Sequence, residues 1–235
     1  MNKTVLSKIK GVNGWLLFLL FTLTMWLFLF VNNEFVVTEQ LYESYVEQKM
    51  NEKYDDYDKI SKEFQDDLDE DSVDENFFTD AALDYAFISS QSAVQFLAIA
   101  GFIFVGLTIT QSTESIEFAS IFKTVMVGEF IFFVPKLIKY LIFLFKKGSY
   151  TYEEVKDFNI GSLYSFFNSH EIASWLKYPL KLINLFEVSY IVFLCFAISD
   201  VLSINLTKVW RPVAISYLSL LILWMSIRIY LSVIF

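Results

Sequence analysis

The chain predicts an all-α fold: a polytopic membrane bundle of five transmembrane helices, with an acidic helical segment outside the membrane between helices one and two. Three observations predict it. Of 235 residues, 55% are hydrophobic and 19% aromatic, with 26 Phe against 7 Gly. That is richer in apolar side chains than an ordinary soluble domain. The apolar residues fall in five runs long enough to span a bilayer. The charge is uneven. Residues 32–90 hold 18 Asp and Glu against 4 Lys, a net of −14, while the rest is mildly basic at +5. Soluble enzymes of ordinary composition, disordered chains and disulfide scaffolds are excluded, the last because Cys195 is the single cysteine. No basic patch is present, so nucleic acid is not an expected partner.

The first run, Trp15 to Val31, follows Lys3, Lys8 and Lys10. It exceeds the usual core of a signal peptide and no small-x-small cleavage site follows. Residues 1–31 are therefore read as a cytoplasmic N-terminus and an uncleaved signal-anchor helix, and residues 32–90 as an acidic external loop. The second run, Ala93 to Thr110, carries Ala98, Ala100, Gly101 and Gly106, small residues that let helices approach closely in lipid. Ser72 and Glu75 before Phe77 form a capping-box pattern, so this helix should begin well before the membrane. The third run, Phe118 to Phe145, is 28 residues, about 42 Å of helix against an apolar core of about 30 Å. Pro135 should kink it. The fourth run is Leu182 to Ile204 and the fifth Val213 to Phe235, with Arg211 and Pro212 marking the start of the last helix. Residues 91–235 thus form a four-helix membrane domain.

Lysines before the first helix, and their scarcity near the membrane in the first loop, orient the N-terminus to the cytoplasm and the C-terminus outside. Lys208 and Arg211 agree; Lys146, Lys147, Lys156, Lys177 and Lys181 of the 146–181 loop do not. The acidic segment shows weak helical spacing at Leu41, Tyr45, Tyr57, Ile60, Phe64 and Leu68. Asp67, Asp69 and Asp71 alternate as calcium ligands do, but the loop glycine is missing and Phe78 stands at the twelfth position, so the cluster reads as a solvated acidic cap. In the 146–181 loop, Ile172, Trp175 and Leu176 follow Ser169-His170-Glu171 and share one face of a short interfacial helix ending near Pro179. With one His and one Cys, no metal site of nitrogen and sulfur ligands is expected. No catalytic or cofactor motif is present, so neither enzymatic residues nor cofactors are assigned.

Ionisable residues within spans are costly and mark sites of interest. Lys136 and Lys139, late in run three, share a membrane face with Glu187, early in run four, and Arg228, late in run five. Asp200 and Lys123 share the opposite face. The pattern predicts Glu187 paired with Arg228 or Lys136, and Asp200 with Lys123. Glu129 lies near mid-membrane with no basic residue at its depth. These six residues (Glu129, Lys136, Glu187, Arg228, Lys123 and Asp200) form the candidate polar network, with Pro135 as the kink.

Three stretches, Phe122 to Ile138, Gly161 to Phe167 and Leu180 to Val188, resemble the Yip (Ypt-interacting) family of multi-span membrane proteins. Pro135 matches the family's proline in span three, Asn184-Leu185-Phe186 its start of span four, and Trp224 its last-span tryptophan. Glu117-Phe118-Ala119 stands where the family has paired glycines, and Asp200 replaces a late glycine. The likeness covers residues 93–233. It implies five spans, a cytoplasmic N-terminus and an accessory role with no established enzymatic activity; the short segment before Trp15 points to the bacterial type and an inner membrane. The resulting expectation is a non-enzymatic accessory or scaffold subunit of an envelope transport or secretion complex. Its partners would be other membrane proteins, the lipid bilayer and a basic surface facing the acidic loop. The alternative is a transporter or channel component that uses Glu129 and the helix broken at Pro135.

Overall fold

The computed structural model describes residues 6–38, 41, 44–45, 77–110, 116–146, 149–167 and 172–234. The capping box at Ser72, the aspartates from Asp66 to Asp74, the periodic positions Tyr57 to Leu68, and His170 with its neighbours Ser169 and Glu171 lie outside the described residues. The fold is all-helical. Among the described residues, four helices are long and apolar enough to cross a membrane: Gly14–Val36, Tyr85–Thr110, Leu185–Leu202 and Leu206–Leu231.

Helix α1 (Gly14–Val31) starts where Asn13 accepts the Trp15 amide at 3.0 Å, one of the four amides a helix start leaves unpaired. A π-helical turn, Asn32–Val36, extends it. It bears no charge and buries only Leu17 and Phe21; Trp15, Leu16, Leu19, Leu20, Leu23 and Leu27 face outward, as expected of a helix solvated by lipid. Helix α2 (Phe77–Thr110) has 34 residues, about 51 Å of helix, and so projects beyond an apolar core of about 30 Å, as its sequence suggests. Its inner stripe is Phe96, Ile99, Ala100, Ile103 and Leu107, at three- and four-residue steps. Gly106 on the same helix meets the last helix so closely that a Cβ there would coincide with the Ser216 hydroxyl.

The third apolar run is two helices, each shorter than a span. Helix α3 (Phe118–Gly128) and helix α4 (Phe133–Lys146) are joined by a 3-10 turn, Glu129–Phe132. The break lies before Pro135 because a prolyl ring has no amide for the carbonyl four residues back and crowds it. Pro135 itself occupies the first turn of α4, where a missing amide costs little. The two halves run alongside α1 from end to end. Near the start of α1, Gly14 lies against Lys123, and Lys10 bridges Glu117 at 3.0 Å. Past its end, the Tyr150 hydroxyl donates to the Val36 carbonyl at 2.9 Å. Between these, Phe21 meets Phe96, Phe130 and Phe133 at 4.8, 5.6 and 5.1 Å, and Phe28 stacks on Phe133 at 5.2 Å.

Helix α5 (Tyr152–Asp157) and a 3-10 turn, Leu163–Phe166, precede helix α6 (Ser174–Leu182). Val36, Phe143 and Val155 make a second small core here, and Tyr45, from the start of the acidic segment, contacts Tyr152 at 4.6 Å. Two ion pairs brace the region: Lys146–Glu154 at 2.8 Å and Lys181–Asp157 at 3.1 Å. Two expectations are corrected here. Helix α6 does not end at Pro179 but continues to Leu182 with the proline inside it. The fourth run begins as a separate helix, α7 (Leu185–Leu202), because Asn184 accepts the Glu187 amide at 2.9 Å and donates to the Lys181 and Leu182 carbonyls. Helix α7 ends at Ser203, whose φ of 58° is left-handed. Helix α8 (Leu206–Ile234) starts at an Asn205 cap, with the Thr207 amide 3.0 Å from its side-chain oxygen. Pro212 therefore lies inside the last helix rather than at its start, a third correction.

The N-terminal tether gives a prediction. Lys10 and the Ser120 hydroxyl both donate to Glu117, which holds its carboxyl below the ordinary carboxylate range. A carboxylate lowered in the folded state contributes stability above its unfolded value and loses it as pH falls through the folded one. Acidification should therefore loosen residues 6–11 from α3, and Glu117→Gln should abolish that acid response. Limited proteolysis after Lys8 and Lys10 across a pH series reads it. The pair is exposed, so the effect is small and shrinks with salt.

Candidate functional site

The 3-10 break carries Glu129 into the middle of the bundle, where it is only 5% exposed. The residue before it makes room for what surrounds it. A Cβ on Gly128 would stand 2.6 Å from Cε2 of Tyr190, so the bare glycine lets that ring cross α3 directly beside the carboxyl. Gln95, on α2, donates to Oε2 of Glu129 at 3.5 Å, the long limit of a hydrogen bond. Tyr190 is fully buried and neighbours the same carboxyl. Neither its hydroxyl nor Oε1 of Glu129 has a partner in hydrogen-bonding geometry. In α8, Tyr217 packs its ring 5.2 Å from that of Tyr190 and donates its hydroxyl to Oε2 of Glu187, on α7, at 2.6 Å. The result is a polar seam through an aromatic interior: Gln95, Glu129, Tyr190, Tyr217, Glu187. It draws on α2, the break, α7 and α8.

The seam differs from the charge pairs expected above. The Glu187 carboxyl instead accepts from the Tyr217 hydroxyl at 2.6 Å. Arg228 lies instead over the rings of Tyr178 and Trp224, at 4.9 and 5.9 Å, while the Trp224 indole donates to the Tyr178 hydroxyl at 2.8 Å. Lys136 places its ammonium 3.2 Å from the Met25 sulfur, with the Phe133 ring centroid at 5.6 Å, and forms no ion pair with Glu129 or Glu187. Lys123 donates to the Lys10 carbonyl at 3.1 Å. Asp200 stands in the last turn of α7, its backbone carbonyl accepting the Ser203 amide. Of the six network residues, the structure thus brings Glu129, Glu187 and Lys136 into one neighbourhood and sets Lys123, Asp200 and Arg228 apart from it. Pro135 lies just beyond the break.

Sequence reasoning missed Gln95, Gly128, Tyr190 and Tyr217. A glutamine in an otherwise apolar span is a visible signal. Two tyrosines among so many aromatic residues are not, because a ring reads as packing and only the fold shows where its hydroxyl points. Outside the seam, the faces of α7 and α8 enclose a groove of about 330 Å³ lined by Ile191, Val192, Cys195, Phe196, Trp210 and Ala214. Among the described residues, no three His, Cys, Asp or Glu side chains converge as metal ligands would. No family model, no curated protein and no solved structure matches this chain.

Proposed function

We propose that this chain is a non-enzymatic accessory subunit of a membrane transport or secretion complex, acting as a scaffold for other membrane proteins. The observation that carries the reading is how the interior polar groups are used: Tyr217 and Glu187 bind α8 to α7, and Gln95 binds α2 to the break, so one helix holds another. The outer faces stay apolar, with Leu19, Leu23, Val105, Ile109, Val192 and Ile222 all exposed, a surface suited to lipid and to neighbouring helices. In this reading Phe118–Lys146 is a fifth, broken span, the N-terminus is cytoplasmic, residues 32–90 are external and meet a basic partner, and the membrane is a bacterial inner membrane. The resemblance to Yip-type proteins over residues 93–233 supports the same assignment. Mild-detergent purification of the tagged chain from its native membrane, followed by mass spectrometry, tests it. Stoichiometric co-purification of other membrane proteins, lost on deleting residues 40–80, is the expected result; a clean single species contradicts it.

A second reading, a transporter or channel component, is favoured by one observation: a buried carboxyl with an unpartnered oxygen at a helix break. Broken helices with polar groups at mid-depth commonly build transport sites. It requires that Glu129→Gln change flux through the complex while assembly persists.

A further inference from the structure

We propose that Glu129 is a proton-binding site, with the Tyr190 hydroxyl and the Lys136 ammonium as the groups that respond to its occupancy. The proposal rests on the second reading above and names its ion. Three observations lead to it. Oε1 of Glu129 and the Tyr190 hydroxyl are neighbours, both buried, and both without an aligned partner. A buried polar group normally finds one, and each exception calls for an explanation. The two can partner each other in either state: the phenol donates to the ionised carboxylate, and a proton on Oε1 reverses that bond, so the pair registers occupancy.

The second observation is the position of Lys136. Its ammonium rests on the Met25 thioether, a weak acceptor, and stays out of an ion pair although Glu129 is electrostatically coupled to it. That is the arrangement expected while Glu129 is neutral. Loss of the proton leaves a buried anion, and Lys136 then has a far better partner than sulfur. The third is the backbone between them. Glu129 begins the 3-10 turn and Lys136 stands in the first turn of α4, so moving the ammonium towards the carboxylate bears directly on the break. The groups that face Glu129 are Gln95 from α2, Lys136 from α4, Tyr190 and Glu187 from α7, and Tyr217 from α8. Oε2 of Glu187 is taken up by the Tyr217 hydroxyl.

A hydrophobic carbodiimide tests the assignment, because it adds only to a protonated carboxyl. The acid proton moves to a carbodiimide nitrogen, the carboxyl oxygen bonds to the central carbon, and rearrangement gives a stable N-acylurea with no leaving group. The full chain in native membranes is treated across a pH series and its peptides are analysed by mass spectrometry. The expected result is an adduct on Glu129 that falls about tenfold per pH unit above the titration midpoint, persists in Glu187→Gln and is unaffected by sodium. In Lys136→Met the adduct should persist to higher pH, since the ammonium that stabilises the anion is gone. No adduct on Glu129 in wild-type, or one insensitive to pH, overturns the proposal. An adduct blocked by sodium overturns the proton assignment and leaves the transport reading standing. Unchanged flux in Glu129→Gln removes the transport reading whatever the carbodiimide shows. Because the wild-type chain carries the decisive result, a variant that fails to fold does not remove the test.

Discussion

Gly128→Ala is expected to destabilise the bundle by about 1–3 kcal/mol, the usual range for overpacking a filled core. On backbone preference alone the change should help, since glycine inside a helix costs about 0.5–1 kcal/mol relative to alanine. Sterics reverse the sign. The new methyl would lie 2.6 Å from Cε2 and 3.1 Å from Cδ2 of Tyr190, and 3.1 Å from Cδ1 of Phe193. Tyr190 has nowhere to retreat: it is fully buried, with Phe132 and Tyr217 at ring distances of 5.1 and 5.2 Å. Gly101→Ala is the matched control, because nothing lies within 4 Å of a Cβ there. Thermal unfolding in detergent should show Gly128→Ala well below wild-type and Gly101→Ala at or above it.

Tyr217→Phe is expected to cost about 0.5–1.5 kcal/mol, the net worth of a hydrogen bond to a half-buried acceptor. The substitution removes one oxygen and keeps the ring, so the contact with Tyr190 survives and the loss isolates the 2.6 Å bond to Glu187. Glu187→Gln should cost less, since an amide oxygen still accepts. The double variant should cost less than the sum of the two single ones, and that shortfall measures the coupling between α7 and α8. Additive losses would mean that the two residues act independently.

The long helices were legible because lipid leaves no alternative: a spanning segment must satisfy its own backbone and present apolar side chains all round. Trp15 to Val31 and Ala93 to Thr110 therefore read directly, as did the extension of the second helix back towards Phe77. Punctuation was less legible. Pro135 announced a break but not its location, because proline acts on the turn before it, and that turn holds Glu129. Pro212 read as a helix start, yet Asn205 caps α8 earlier and the helix absorbs the missing hydrogen bond. Asn184 acts in the same way, separating α6 from α7 within what reads as one apolar approach to run four.

The candidate site was half legible. Glu129 stood out by depth, since a lone carboxyl in an apolar run is costly. Charge layers then misplaced the partner of Glu187, because a tyrosine hydroxyl holds a carboxyl as readily as a cation does. Arg228 shows the same lesson from the other side: aromatic faces can hold a cation. Gly128 was invisible for a different reason. Its importance lies in the ring that crosses it, and Tyr190 is 62 residues away along the chain.

The central claim is that Phe118–Lys146 crosses the membrane as a broken span and so holds Glu129 inside the bilayer. Cysteine accessibility at its two flanks tests this most directly. In a Cys195→Ser background, Glu117→Cys and Ser149→Cys are each exposed positions at opposite ends of the segment. Each variant is treated with a membrane-impermeant maleimide, in intact cells and after permeabilisation. The expected result is that one position reacts from outside and the other only once the inner face is opened. Reaction of both positions from the same side would mean that the segment turns back within the membrane, and the account would be wrong.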